Sequence, residues 1–121
     1  MNSLNYGSQE ACERLFKAGI VLETEHWHGW DGRIYRKDEV PYGTARVPAP
    51  SMAEVWRELP GTFNGADIEI WKVANYTYCS YCDGNLQLTE HSISNTNPAD
   101  ALIYLRIWLE ERKEESHEPT I

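Results

Sequence analysis

Cys79 and Cys82 are spaced as a CxxC pair, and two thiolates at that spacing can bind a zinc ion when other ligands approach. His26 and His28 are alternate residues of a predicted strand, so their imidazoles would lie on one face and could supply those ligands. Zinc ribbons usually contain two such cysteine pairs, and this chain has one. These four residues are therefore candidate metal ligands, and a buried Cys79 with a free Cys82 is the structural alternative.

The chain contains histidines and carboxylates, which are the residue types that could catalyse a reaction. His26, His28 and His91 could act as general bases, and Glu23, Glu25, Asp31 and Glu90 lie nearby in the sequence. Their spacing matches neither a Ser/His/Asp triad nor a pair of catalytic carboxylates. The glycines form neither a phosphate loop nor a dinucleotide-binding motif. A redox CxxC normally begins a helix, whereas this one falls in a predicted strand. We therefore predict no catalytic residue and no cofactor.

Four aromatic residues in the first predicted hairpin and the loop after it suit a protein-binding surface: Trp27, Trp30, Tyr35 and Tyr42. Basic residues lie among them, and single-stranded nucleic acid stacks on aromatic rings in basic grooves. Acidic residues dilute this positive charge, so we favour a protein partner over a nucleic acid. A role for these aromatic rings in the core, or in a loop that covers it, is the alternative.

The totals limit the class of protein. A chain of 121 residues can form one domain with an ordinary hydrophobic core. Its formal net charge of −8 disfavours binding to a nucleic-acid backbone, although an acidic inhibitor of a nucleic-acid enzyme is an alternative function. Three sparse cysteines and an N-terminus without a signal-peptide pattern predict a cytoplasmic protein. There is no apolar run long enough to span a membrane.

Three helices are predicted from their capping residues. Ser8 can begin a helix over residues 8–18, which would bury an apolar stripe that includes Phe16. Ser51 and Glu54 have the spacing of a capping box, and the helix after them would bury Met52, Val55, Trp56 and Leu59. Asn97 and Pro98 suit the start of a third helix that runs to about residue 113. Its wide apolar stripe indicates a central helix or one that also contacts a partner.

Strands are predicted over residues 20–27, 33–37, 67–73, 75–82 and 86–93. The proline-containing stretch 38–50 is predicted to be irregular. Asp83 and Gly84 form a two-residue hairpin signal, which would pair Cys79 with Leu88 and Tyr81 with Leu86. The element order is α-β-β-α-β-β-β-α. It predicts an α+β fold with three helices on an antiparallel sheet of about five strands. We expect residues 1–113 to form one domain and residues 114–121 to form a flexible acidic tail.

Two helix-starting segments carry a resemblance to a family. They contain the motifs Pro-Ala-Pro (48–50), Trp-Arg-Glu-Leu-Pro (56–60), Thr-Asn-Pro (96–98), Asp-Ala-Leu-Ile (100–103) and Ile-Trp-Leu (107–109). In these motifs it resembles a group of uncharacterised short proteins of bacteriophages and prophage-bearing bacteria. The resemblance implies a phage or prophage origin and a cytoplasmic setting. It implies no activity and no site residues.

The sequence therefore predicts a small cytoplasmic domain that acts by binding. The expected partner is a protein, which is either a second copy in a homodimer or a factor of the host or phage. A metal-binding protein or enzyme that uses the CxxC pair and the two histidines is the first alternative. The acidic inhibitor is the second.

Overall fold

The structure is a computed structural model that describes residues 6–39, 43, 45–63, 65–82 and 93–116. These ranges contain three helices and seven strands, which confirms the α+β class. The elements in chain order are α1 (Gln9–Lys17), β1 (His26–Gly29), β2 (Ile34–Arg36), β3 (Ala45–Pro48), α2 (Met52–Glu58), β4 (Thr62–Phe63), β5 (Ala66–Val73), β6 (Tyr76–Cys82), β7 (Ile93–Asn95) and α3 (Pro98–Ser116). The last helix continues to Ser116, beyond the predicted end near residue 113, and residues 117–121 lie outside the described ranges.

Each helix begins at its predicted cap. The Ser8 hydroxyl accepts a hydrogen bond from the Ala11 N–H at 3.2 Å. Ser51 and Glu54 form the complete capping box, because each side chain accepts a hydrogen bond from the backbone N–H of the other residue. The Asn97 side-chain oxygen accepts hydrogen bonds from the first turn of α3. Local sequence therefore determines where the helices start.

Two aromatic residues predicted to lie in the buried stripes are exposed instead, as is Ala18 at the end of α1. Phe16 retains 52% of its accessible surface on α1, and Trp56 retains 41% on α2. The two short helices bury only their narrower stripes, in which Leu15 and Val55 are enclosed. Both exposed rings lie on a flank of the stripe, where the fold provides no element to cover them.

The prediction of one sheet with about five strands is wrong. The strands form two antiparallel sheets, one with the order β2-β1-β3 and one with the order β4-β5-β6-β7. The additional strand of the first sheet, β3, lies inside the stretch predicted to be irregular, and its Pro48 pairs with Trp27. Because β3 is an edge strand, a residue without an N–H is tolerated there. Residues 20–25, predicted to be strand, precede β1 without regular structure.

The predicted register of the last hairpin is also wrong. Cys79 pairs with Ile93 rather than with Leu88. Residues 83–92, which include the predicted turn at Asp83 and Gly84, lie outside the described ranges. Of the four residues predicted to share one face of this hairpin, Cys79 and Tyr81 are fully buried on β6, and Leu86 and Leu88 lie outside the described ranges.

Helix α3 is the centre of the core. It packs against α1, α2, β6 and β7, and Leu102, Ile103 and Leu105 are fully buried. The wide apolar stripe therefore reflects a helix that is covered on several sides, as predicted. Near its start, the Asp100 carboxylate accepts a hydrogen bond from the Ser8 N–H at 2.6 Å, which joins the beginnings of α1 and α3.

Candidate functional site

The CxxC pair lies in β6 with its two thiols in different environments. Cys79 is fully buried, and its Sγ donates to the Ala101 carbonyl at 3.3 Å. Burial raises the pKa of the Cys79 thiol to about 12, so it stays protonated at neutral pH. Cys82 is partly exposed, and its Sγ lies 3.3 Å from the Ser80 hydroxyl. The pair is therefore split between the core and the surface.

The two candidate histidines lie on β1, in the other sheet. His28 is buried, and its Nε2 lies 2.7 Å from the Gly7 carbonyl. The His26 ring packs against Tyr6 with ring centroids 4.7 Å apart. Within the described ranges, no three side chains of His, Cys, Asp or Glu lie close enough together to share a metal ion. His91 lies outside these ranges.

The predicted aromatic surface is only partly assembled. Trp27 and Tyr35 pair across β1 and β2 and are half-buried. Trp30 lies in the turn that follows β1 and retains 65% of its accessible surface. The Tyr35 hydroxyl donates to the Asp31 carboxylate, which raises the pKa of Tyr35 and lowers that of Asp31. Tyr42 lies outside the described ranges.

A polar cleft of about 990 Å³ lies between the first sheet and α2. Most of its lining is charged, and the lining residues are Tyr6, Glu23, Thr24, Glu25, His26, Arg36, Lys37, Asp38, Ser51, Glu54 and Arg57. Of the described residues considered for chemistry from the sequence, His26, Glu23 and Glu25 line it. Acidic and basic side chains are mixed along its walls, so the cleft has no single sign of charge that would select a ligand.

Glu54 is the best-satisfied group in the polar cleft. Its carboxylate accepts hydrogen bonds from the Ser51 N–H (2.8 Å), the Thr24 hydroxyl (2.9 Å) and the Glu25 N–H (3.0 Å). Burial alone would raise the pKa of Glu54, but these hydrogen bonds outweigh it and hold the pKa below its ordinary value of 4.5. The carboxylate thus joins α2 to the segment before β1, which is a structural role.

A second depression, which we call the α2–β5 groove, has a volume of about 620 Å³. Its lining contains no charged side chain and consists of Tyr6, Ser51, Met52, Ala53, Trp56 and Ile70. Tyr6 and Ser51 line the polar cleft as well, so the two depressions adjoin. A third depression of about 770 Å³ shares Met52 and Ile70 with the groove and extends towards Lys72 and Thr77. The exposed apolar surface of this region therefore forms one continuous trough.

Sequence reasoning missed the α2–β5 groove because it placed the whole apolar side of α2 in the core. A signal was present in the spacing. Val55 and Leu59 form one i, i+4 row, and Met52 and Trp56 form a second. A helix of seven residues that packs on one side buries one row fully, and here that row is Val55 and Leu59. The second row lines the groove.

Among the described helices, none is both long and apolar enough to cross a membrane. Comparison of the chain with protein-family models, with curated proteins and with solved structures gives no match.

Proposed function

We propose that this chain is a protein-binding module and that its partner docks in the α2–β5 groove. The observation that carries the proposal is the exposed Trp56 beside a concave surface with no charged side chain. Tryptophan is enriched among the residues that contribute most to binding energy, particularly where an apolar pocket adjoins a polar rim. Here the polar cleft provides that rim on one side of the groove.

The chemistry of the groove favours a protein over other partners. Nucleic acids require clustered basic side chains, and the lining of the groove has none. Substrate turnover requires converging acid, base or nucleophilic groups, and Tyr6 and Ser51 are the only side chains in this lining with hydroxyl groups. An apolar side chain from a protein partner would bury Met52, Trp56 and Ile70, which is the favourable term in most association.

The setting is part of the same proposal. The resemblance of residues 48–60 and 96–109 to phage and prophage proteins supports a phage-related origin. The three free cysteines support a reducing, cytoplasmic compartment. A partner from the bacterial host or from the phage would fit both.

The test is affinity capture from a bacterial lysate with three forms of the tagged protein: wild type, Trp56→Ala and Trp30→Ala. Trp30 is the matched control, because it is an exposed tryptophan that lies outside the groove. We expect wild type and Trp30→Ala to retain the same stoichiometric partner, and Trp56→Ala to lose it while its circular dichroism spectrum is unchanged.

Retention of the partner by Trp56→Ala with its loss in Trp30→Ala would show that the turn after β1 is the docking surface. If no form captures a protein, sedimentation velocity of the wild type then decides between two outcomes. A concentration-dependent dimer that Trp56→Ala abolishes would identify a second copy as the partner. A monomer at all concentrations would refute the binding proposal.

A further inference from the structure

One edge of β5 is paired along only part of its length. On one side, β6 pairs with β5 from Asp67 to Val73. On the other side, β4 pairs only with Ala66 and Asp67. Beyond the contact of Ile68 with Gly61, no strand in the part of the chain that the structure describes pairs with this second edge. The last five residues of β5 therefore present a free edge.

The direction of the backbone groups at this edge follows from one hydrogen bond. The Ile68 N–H donates to the Gly61 carbonyl at 3.0 Å, which places it on the side away from β6. Backbone groups alternate sides along a strand, and β5 pairs with β6 in unbroken register. The N–H and C=O of Ile70 and Lys72 therefore point to the free edge, where the described residues provide no hydrogen-bond partner.

Two residues of this free edge line the trough. Ile70 lines both the α2–β5 groove and the third depression, and Lys72 lines the third depression. Met52, on α2, lines both depressions as well, so an apolar side chain adjoins the strand that carries the free edge. Unpaired N–H and C=O groups next to an apolar groove are the two features that bind an added strand: the backbone provides affinity and the groove accepts alternate side chains.

We propose that the free edge of β5 pairs with an extended segment of a partner protein, which becomes a further strand of the second sheet. This inference rests on the proposed function and specifies how the partner binds. The segment has apolar residues at the alternate positions that face α2, where they pack against Met52 and Trp56. It also has an acidic residue opposite Lys72. The ammonium group of Lys72 has no ion pair within the described ranges, and it is the one charged group among the described residues that line the third depression.

A second copy of this chain fits the edge less well. If β5 paired with its own copy, Ile70 and Lys72 would face the same set of residues in the other molecule, because directly paired residues lie on one face of a sheet. That set is Ala66, Ile68, Ile70 and Lys72, and it contains no acid to pair with Lys72. Two chains of net charge −8 would also repel each other. A foreign apolar segment with a single acidic residue opposite Lys72 avoids the first cost and carries far less negative charge than a second copy.

The test uses dye-labelled synthetic peptides of about ten residues, the length of a long strand. In each peptide, valine or isoleucine alternates with threonine, and one end carries glutamate, lysine or neither. Fluorescence anisotropy measures binding, and NMR hydrogen exchange measures protection of the Ile70 and Lys72 amides. We expect the glutamate peptides to bind best and to slow exchange of both amides by about tenfold or more.

Two variants address the edge and its charge. Lys72→Pro removes an N–H that faces the free edge while leaving the β5–β6 ladder intact. Because it also removes the ammonium group, its effect is measured with the peptides that carry neither glutamate nor lysine, whose binding we expect to weaken by about tenfold or more. Lys72→Glu should reverse the preference, so that lysine peptides bind better than glutamate peptides. The matched control is Lys37→Glu, which makes the same charge change in the polar cleft and should leave the preference unchanged.

Several outcomes would overturn the strand proposal. They are the failure of every peptide to protect the two amides, binding to Lys72→Pro as tight as to wild type, and an unchanged charge preference in Lys72→Glu. If Lys72→Pro does not fold, amide protection in the wild type and the preference of Lys72→Glu decide the matter. Trp56-dependent capture of a partner without amide protection would leave the docking function standing and refute only strand addition.

Discussion

The polar cleft and the α2–β5 groove lie side by side and share Tyr6 and Ser51, but their linings differ in how far their groups are paired within the protein. In the polar cleft, charged side chains have partners: Glu54 accepts hydrogen bonds from one hydroxyl and two backbone N–H groups, and Arg36 lies 3.8 Å from Asp38. In the groove, an exposed tryptophan and a partly unpaired strand edge are left without such partners in the described ranges. We therefore assign the larger depression a structural role, whereas the smaller one is the proposed docking site.

This difference shows that size and polarity alone do not identify a binding site. The polar cleft contains a histidine and several carboxylates, which are the residue types of many active sites. Its Glu54 carboxylate, however, holds α2 in position through hydrogen bonds. Burying more of an exposed apolar surface lowers the free energy, whereas a satisfied carboxylate gains little from a ligand. Substitutions at the boundary between the two depressions, in the polar cleft and in the hairpin of β5 should therefore have different effects.

The largest expected effect is that of Gly7→Ala, because Gly7 anchors the segment that separates the two depressions. A Cβ at this position would collide with the Ile103 side chain and would lie 2.7 Å from the Cys12 Sγ. Both neighbours are enclosed in the core, so the segment that carries Tyr6 must shift. We expect the free energy of unfolding to fall by about 2–3 kcal/mol, the usual cost of overpacking, as measured by urea denaturation.

Gly61→Ala is the matched control for this change. A Cβ at Gly61 would meet no atom within 4 Å, so the variant should keep wild-type stability. If Gly7→Ala were as stable as Gly61→Ala, the segment at Tyr6 would be loosely held, and the boundary between the cleft and the groove would not be fixed.

Which parts of this fold were predictable from sequence depends on the range of the interactions. The capping residues Ser8, Ser51 and Asn97 bond to N–H groups within three residues, so local sequence was sufficient to find them. The division into two sheets depends on pairs far apart in the chain, such as Trp27 with Pro48 and Cys79 with Ile93. No local pattern determines such pairing, and the strong turn signal at residues 83–84 indicated the wrong register.

The candidate site was less predictable than the fold. The exposure of Trp56 depends on which row of α2 the rest of the protein covers, and sequence periodicity cannot distinguish two adjacent apolar rows. The free edge of β5 depends on where β4 stops, which is again a long-range property. The aromatic residues of β1 and β2 were predicted to form a protein-binding surface, but Trp27 and Tyr35 are half-buried where the two strands pair.

A smaller effect is expected from Glu54→Gln, which tests whether the polar cleft is structural. The folded protein holds the pKa of Glu54 below 4.5, so this carboxylate contributes stability above that pH and loses it as the pH falls through the folded pKa. At pH 7, we expect the variant to lose about 1 kcal/mol, because the glutamine amide nitrogen cannot accept the hydrogen bond that the second carboxylate oxygen takes from the Glu25 N–H. Below about pH 4.5, the difference from wild type should shrink in thermal denaturation.

Glu58→Gln is the control, since Glu58 is exposed on the same helix and takes no part in this network. It should change neither the stability at pH 7 nor the acid response. A Glu54→Gln variant with wild-type stability at every pH would mean that the carboxylate is free to serve a ligand, and the contrast between the cleft and the groove would fail.

The smallest expected effect is a gain in stability from Ala74→Gly in the turn between β5 and β6. Ala74 has a φ of +53°, a left-handed conformation that costs a residue with a Cβ about 1 kcal/mol. Glycine removes this strain but also loses more conformational entropy on folding, so a net gain of about 0.5 kcal/mol is expected. Urea denaturation of Ala74→Gly beside Ala53→Gly gives the measurement. Ala53 has the same side chain on an exposed position of α2, where glycine should instead cost about 1 kcal/mol.

If Ala74→Gly raises the free energy of unfolding and Ala53→Gly lowers it, the turn of the hairpin that contains β5 is strained. The acid response of Glu54 should be unchanged in Ala74→Gly, because the turn takes no part in the hydrogen bonds of the polar cleft. A loss of stability in Ala74→Gly would mean that the left-handed turn is not populated in solution. The register that aims Ile70 and Lys72 at the groove would then need to be measured directly, from the amide exchange of β5.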